Sequence, residues 1–190
     1  MMHVARALIP ALWFLWLGYW IAAARATSET RRRESLASRL SHFAPTMFGG
    51  VFLGVPNSLG PDLEHSFHPH TQVWLWTATA LVAIGLGFSV WARAQLGPNW
   101  SAEVTVKRDH ELVRSGPYAL VRHPIYTGVL LALVGSALAV DKWRGLLGLL
   151  LIAAGFIRKI FVEERFMLTE FGEVYAKYRA EVPALIPFVA

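Results

Sequence analysis

Cysteine is absent from the 190 residues, which excludes a disulfide framework and any thiolate metal site. Charge is scarce: Asp, Glu, Lys and Arg make up 16% of the chain, against roughly 25% in ordinary soluble domains. Acid is scarcer than base, 13 residues against 18, so the net charge is +5. Internal repeats and low-complexity stretches are missing too. What is plentiful is apolar: 55% of residues are hydrophobic and the mean hydropathy is +0.42. A disordered chain is excluded, because such chains are poor in apolar residues. An ordinary soluble domain does not fit either. The length suits one domain, and the class it points to is an all-α integral membrane protein.

Five apolar runs set the expected architecture. They cover Ala7 to Ala24, Phe43 to Leu59, Val73 to Ala92, Pro124 to Val140 and Gly145 to Ile157. The first has 18 residues and no charge, and at 1.5 Å per residue it reaches ~27 Å, close to the roughly 30 Å hydrocarbon core. It exceeds a signal-peptide core in length and is read as a retained span. The second is the weakest, interrupted by Pro45, Gly49, Gly50 and Pro56. The last two are separated only by Asp141, Lys142, Trp143 and Arg144, a loop short enough for an antiparallel helical hairpin.

Charge placement tests this count independently. With five crossings, 15 of the 18 Lys and Arg fall on one side. Only Arg6, Lys142 and Arg144 fall on the other. Such segregation predicts a cytoplasmic C-terminus and an N-terminus outside. It also explains the pI of 9.9 through anionic headgroups, with no nucleic acid required. Arg31, Arg32 and Arg33 read as topology determinants. Trp74, Trp76, Trp91 and Trp143 lie near span ends as interfacial anchors. Trp13, Trp16 and Trp20 recur at helical spacing and read as packing or lipid contact. His65, His68 and His70 lack the i, i+4 spacing of a metal-binding helix, so they read as loop residues and no metal is expected. Gly85–Leu86–Gly87 follows no strand, and packing between small residues explains it better than dinucleotide binding.

Two polar segments, both assigned to the cytoplasmic side, hold most of the organised polar residues. One runs from Trp91 to Gly128, with a turn signal at Ser115–Gly116–Pro117. Pro124 suits the first turn of the fourth span, which sets Arg122 and His123 at a helix N-terminus. The partial positive charge there suits an anion such as a carboxylate. The other segment follows the fifth span and carries the adjacent Glu163 and Glu164. Headgroup contacts and a solvated helix face are the plain alternatives for these two clusters. Glutamates this close to an apolar span lose hydration and become candidate functional groups.

At these segments the chain resembles the isoprenylcysteine carboxyl methyltransferase family and, more distantly, phospholipid N-methyltransferases. The matching pieces are LVRSGPYALVRHPIYTG, Leu112 to Gly128, and EERFMLTEFGEVYAKYRAEVPALIPF, Glu163 to Phe188, with WARAQLGPNWS upstream. The resemblance covers about half the chain. It implies transmembrane helices and loops over 1–92 and a cofactor-binding half over 93–190, containing the helical hairpin and a cytoplasmic tail. It implies S-adenosylmethionine as cofactor and a lipophilic or lipid-anchored acceptor reached from the membrane lipids. By position, Gly116, Tyr118, Arg122, His123, Tyr126, Glu163 and Glu164 become the cofactor shell. Arg158 and Glu164 become the catalytic pair that arranges the acceptor. The expected reaction is carboxyl O-methylation. An NADPH-dependent sterol-type reductase and a non-enzymatic membrane protein stay open as alternatives.

Overall fold

The computed structural model describes residues 2–24, 30–69, 71–97, 105–107 and 112–188. Parts of the Trp91–Ser101 stretch, and Arg25, His70 and Arg108, lie outside the described residues. Helix α1 spans Met2–Ala23, α2 Leu36–Gly54, α3 Gln72–Leu96, α4 Pro124–Val140, α5 Trp143–Phe171 and α6 Glu173–Glu181. Single 3-10 turns lie at Pro61–Glu64 and Gly116–Ala119. Strands β1 (Thr30–Arg33) and β2 (Thr105–Lys107) pair antiparallel, Thr30 opposite Lys107 and Arg33 opposite Thr105. This small ribbon is the one departure, among the described residues, from the expected all-α class.

Helices α1 (from Val4), α3 and α5 are long and apolar enough to cross a membrane, and α4 is a shorter apolar helix. The protein is a multi-pass integral membrane protein. The weak second run differs most from expectation. Helix α2 starts at Leu36, seven residues earlier, because Ser35 caps it by accepting from the Ser38 amide at 3.3 Å. It carries Pro45 internally and stops before Pro56. Helix α5 overshoots the other way. Its 29 residues reach about 43 Å, so a core of roughly 30 Å beginning at Trp143 ends near Val162. Glu163 and Glu164 therefore sit at the edge of the apolar layer while still belonging to a continuous helix.

The hairpin loop is short, as expected, and Asp141 closes α4 in the left-handed conformation (φ 52°). The closest packing, however, joins α3 to α4 and α2 to α5. Glycines make both crossings. A Cβ on Gly128 would stand 2.5 Å from the Gly85 carbonyl oxygen, and one on Gly148 would stand 2.6 Å from that of Gly49. Backbones approach this closely only where small residues meet, the main route to helix association where lipid removes the hydrophobic drive. The Gly85 part of the glycine reading is thus explained; Gly87 faces open space. Helix α1 leans on α3, and Trp13 Nε1 and Trp16 Nε1 donate to Ser136 Oγ (3.0 Å) and Ser89 Oγ (2.7 Å). The tryptophan stripe is packing: the Trp13 and Trp16 indole N–H groups are satisfied, and the Trp20 ring stacks on Trp16. His68 is structural as well: its ring lies 2.9 Å from the Leu138 carbonyl and stacks on Trp74.

Candidate functional site

Three chain segments meet where α4 begins. Pro124 opens α4, His123 stands at its N-cap, and no side chain caps the helix. The tail after α6 runs across this end as a strap. The Arg122 and His123 amides donate to the carbonyls of Pro183 (2.8 Å) and Ala184 (3.0 Å). Thr127 Oγ1 donates to Leu185 O at 2.7 Å. Pro183 interrupts the helical pattern just after α6, leaving extended backbone free to pair. From the third side, α5 presents Glu163 and Glu164.

The two glutamates are adjacent and do different things. Glu164 is spent inside the protein. Its Oε1 accepts from Arg122 Nε (2.9 Å) and Nη2 (2.7 Å), and its Oε2 lies 3.2 Å from Arg179 Nε. The remaining Arg122 terminal nitrogen donates to the carbonyls of Arg179 (2.9 Å) and Val182. Arg122 thus ties α5, α6 and the strap together. Glu163 is more open, with 21% of its side chain exposed against 6% for Glu164. Tyr126 Oη donates to Glu163 Oε1 at 2.5 Å, His123 Nδ1 lies 3.4 Å from its Oε2, and Lys159 Nζ stands 4.0 Å away. The Tyr126 ring stacks on His123 at 13° between planes and carries the Lys159 ammonium 5.5 Å from its centre.

His123 sits between the two carboxylates, 3.3 Å from Glu164 Oε1 on its other nitrogen. Burial alone lowers its pKa, but hydrogen bonding and charge from Glu163 and Glu164 outweigh burial and leave it raised. Burial drives the Tyr118 phenol far above its ordinary range. Burial also pushes Tyr178 up to about 12, with Arg122 and Arg114 opposing. Both therefore stay neutral, and Tyr178 Oη donates to the Tyr118 carbonyl at 2.6 Å.

Of the residues singled out from sequence, Arg122, His123, Tyr126, Glu163 and Glu164 form one cluster. Tyr118 lies beneath it, joined through Tyr178. Gly116 (φ 61°) packs against the Gln95 side chain at the end of α3. Arg158 is half-buried on α5 and makes no hydrogen bond or ion pair among the described residues. Sequence reasoning missed Arg179 and the strap carbonyls. It also missed Glu34 and His42, a couple 3.0 Å apart whose glutamate side chain is 3% exposed. Eight residues of separation give such a pair no local motif.

Comparison with known proteins bears on the family and the fold. The family model described as phospholipid methyltransferase matches residues 73–174, which contain α3, α4 and α5. The protein-S-isoprenylcysteine O-methyltransferase of Schizosaccharomyces pombe is 33% identical over 121 residues, covering 62% of this chain and 51% of its own. That of Saccharomyces cerevisiae is 28% identical over 181 residues, covering 93% and 76%. The chain thus spans about half to three quarters of the length of these relatives. Among solved structures, the eukaryotic intramembrane Ras methyltransferase (isoprenylcysteine carboxyl methyltransferase) shares the fold, with TM-score 0.52, 23% identity, and 81% and 50% of the two chains covered. On the family model, which takes in more than half of its residues, this chain belongs to the phospholipid methyltransferase family, with isoprenylcysteine O-methyltransferases among its relatives.

Proposed function

We propose that this protein is an integral-membrane S-adenosylmethionine-dependent methyltransferase that methylates the carboxyl group of a lipophilic or lipid-anchored acceptor. The observation that carries the reading is Glu163. It is an accessible carboxylate oriented by Tyr126 and His123 at the uncapped start of α4, at the edge of the apolar layer. The names of the isoprenylcysteine O-methyltransferase relatives support it.

The donor set suits the cofactor's chemistry. S-adenosylmethionine supplies an electrophilic methyl on a sulfonium. Its amino group or ribose diol needs an acceptor such as Glu163. Its carboxylate suits the partial positive charge at the N-terminus of α4. Tyr126 and His123 hold the Glu163 carboxylate in one orientation, and Lys159 balances its charge. Arg122 is committed to Glu164 and to the strap, so the pair acts as a brace that sets His123 and the tail. Gly116 and Tyr118 form the adjoining wall. Arg158, with no anionic partner among the described residues, is the group for an acceptor carboxylate, one and a half turns from Glu163 toward the bilayer. An ionised carboxylate needs no general base, so alignment is the main task. A dry site also strengthens attraction between the anionic acceptor and the cationic donor.

The five-crossing topology, with the N-terminus outside and the C-terminus cytoplasmic, belongs to this proposal. So does the division into a membrane half over 1–92 and a cofactor half over 93–190. The test is methyl transfer from labelled S-adenosylmethionine to a prenylated cysteine with a free carboxyl. Base-labile labelled product supports an ester and the reading. Label stable to base indicates N-methylation. Absence of transfer, with stabilisation by NADPH alone, overturns the reading in favour of a reductase.

A further inference from the structure

A cavity of about 760 Å³ lies at the opposite end of the molecule from Glu163. It is a groove between α1 and the other helices, walled by Ile9, Trp13 and Leu17 of α1, Leu53 of α2, Leu75 of α3 and Ala139 of α4. Its polar atoms are already used: Trp13 and Trp16 donate to Ser136 and Ser89, and Ser136 donates to the Ala132 carbonyl at 2.9 Å. Hydrocarbon is the only chemistry that such walls accept without loss.

The mouth is different. Arg6 and Lys142 line it, two of only three Lys or Arg that fall on this side of the chain. The third, Arg144, is occupied by Glu64 at 2.7 Å and by the Phe52 and Leu53 carbonyls. Arg6 and Lys142 have no carboxylate partner among the described residues; Lys142 donates to Ser66 Oγ at 3.0 Å. The nearby acids are committed elsewhere, Glu64 to Arg144 and Asp141 to the amides of Phe67 and His68.

The dimensions choose the occupant. From Arg6 to Leu17 along α1 is about 16 Å, half of the roughly 30 Å hydrocarbon core. A groove one leaflet deep, apolar to its floor and cationic at its rim, is complementary to a single anionic phospholipid. We propose that this groove is a binding site for one anionic phospholipid of the leaflet opposite the methyltransferase site. Its acyl chains fill the gap between α1 and α4, and its phosphate lies between Arg6 and Lys142. The lipid completes the packing of α1, which otherwise leaves Phe14 of the groove wall largely exposed.

The test uses the full chain in neutral detergent. Native mass spectrometry compares phosphatidylglycerol with phosphatidylcholine of identical acyl chains. The expected result is retention of phosphatidylglycerol at a concentration at least tenfold lower. The double variant Arg6→Gln/Lys142→Gln removes that preference, and Ala139→Phe, which narrows the groove, weakens both lipids. Monodisperse elution and unchanged helix content establish that each variant is folded. Equal retention of the two lipids by the unmodified protein overturns the proposal. So does a preference that survives the double variant, or a dimer whose groove excludes both lipids.

Discussion

Removing the Arg122 guanidinium tests the brace that holds the site. Arg122 and Glu164 are 10% and 6% exposed at the side chain, and all four Arg122 side-chain bonds go to segments other than its own. Arg122→Ala leaves Glu164 buried with Arg179, 48% exposed, and His123 as its remaining cationic partners. Breaking a buried pair by removing one partner costs about 3–5 kcal/mol. The surviving partners set the expectation near the bottom of that range, about 3 kcal/mol, or a little over a hundredfold in the unfolding equilibrium. The double variant Arg122→Met/Glu164→Met removes both charges together and leaves only the Arg179 and Val182 carbonyls and one His123 nitrogen without their partners, so its cost is smaller, within about 1–2 kcal/mol of the unmodified protein. Reversible unfolding in mixed micelles, followed by helix signal, measures all three. The reasoning fails if the single variant costs no more than the double, since the pair would then carry no buried charge penalty.

Other consequences are separable. His123 has a raised pKa in the folded protein, so its contribution to stability is full below the unfolded value of ~6.5 and is lost as pH climbs through the higher folded value. The unfolding midpoint should decline over that window, and His123→Gln should flatten the profile. Gly128→Leu forces α4 away from α3 at Gly85 and Ser89; an overpacked crossing of this kind costs at least ~1–3 kcal/mol, read by the same unfolding assay. Arg158→Gln should raise the KM for a carboxylate acceptor with little change in cofactor affinity, whereas a merely structural Arg158 would move both. Deleting the chain after Glu181 removes the carbonyls that accept from the Arg122 and His123 amides and from Thr127 Oγ1, and protection of the Arg122 and His123 amides from hydrogen exchange should fall.

Local features were legible in the sequence, and through-space features were not. Four of the five apolar runs became helices α1, α3, α4 and α5, because unbroken apolarity and Pro124 at a first turn act within a few residues. The second run was misjudged at its start, since Ser35 and a polar first turn begin α2 before apolarity does. The hairpin loop was evident, but Gly85–Gly128 and Gly49–Gly148 decide which helices pack, and these pairs are joined by no sequence pattern. At the site, Arg122, His123, Tyr126, Glu163 and Glu164 lie together, while Gly116 packs against Gln95 and Arg158 bonds to none of them. Their division of labour was hidden: adjacent glutamates look alike until Arg122 claims one and Tyr126 the other. Glu34 with His42 and Arg179 with Glu164 depend on distances that only the folded chain sets.

The central claim is that Glu163, held by Tyr126 and His123, receives the methyl donor. Isothermal titration of S-adenosylmethionine into the purified protein, and into Glu163→Gln, tests it most directly. Saturable binding that weakens at least tenfold in the variant, with monodispersity and helix content retained, is the predicted result. Equal affinity in the two proteins, or heat evolved only with NADPH, would contradict it.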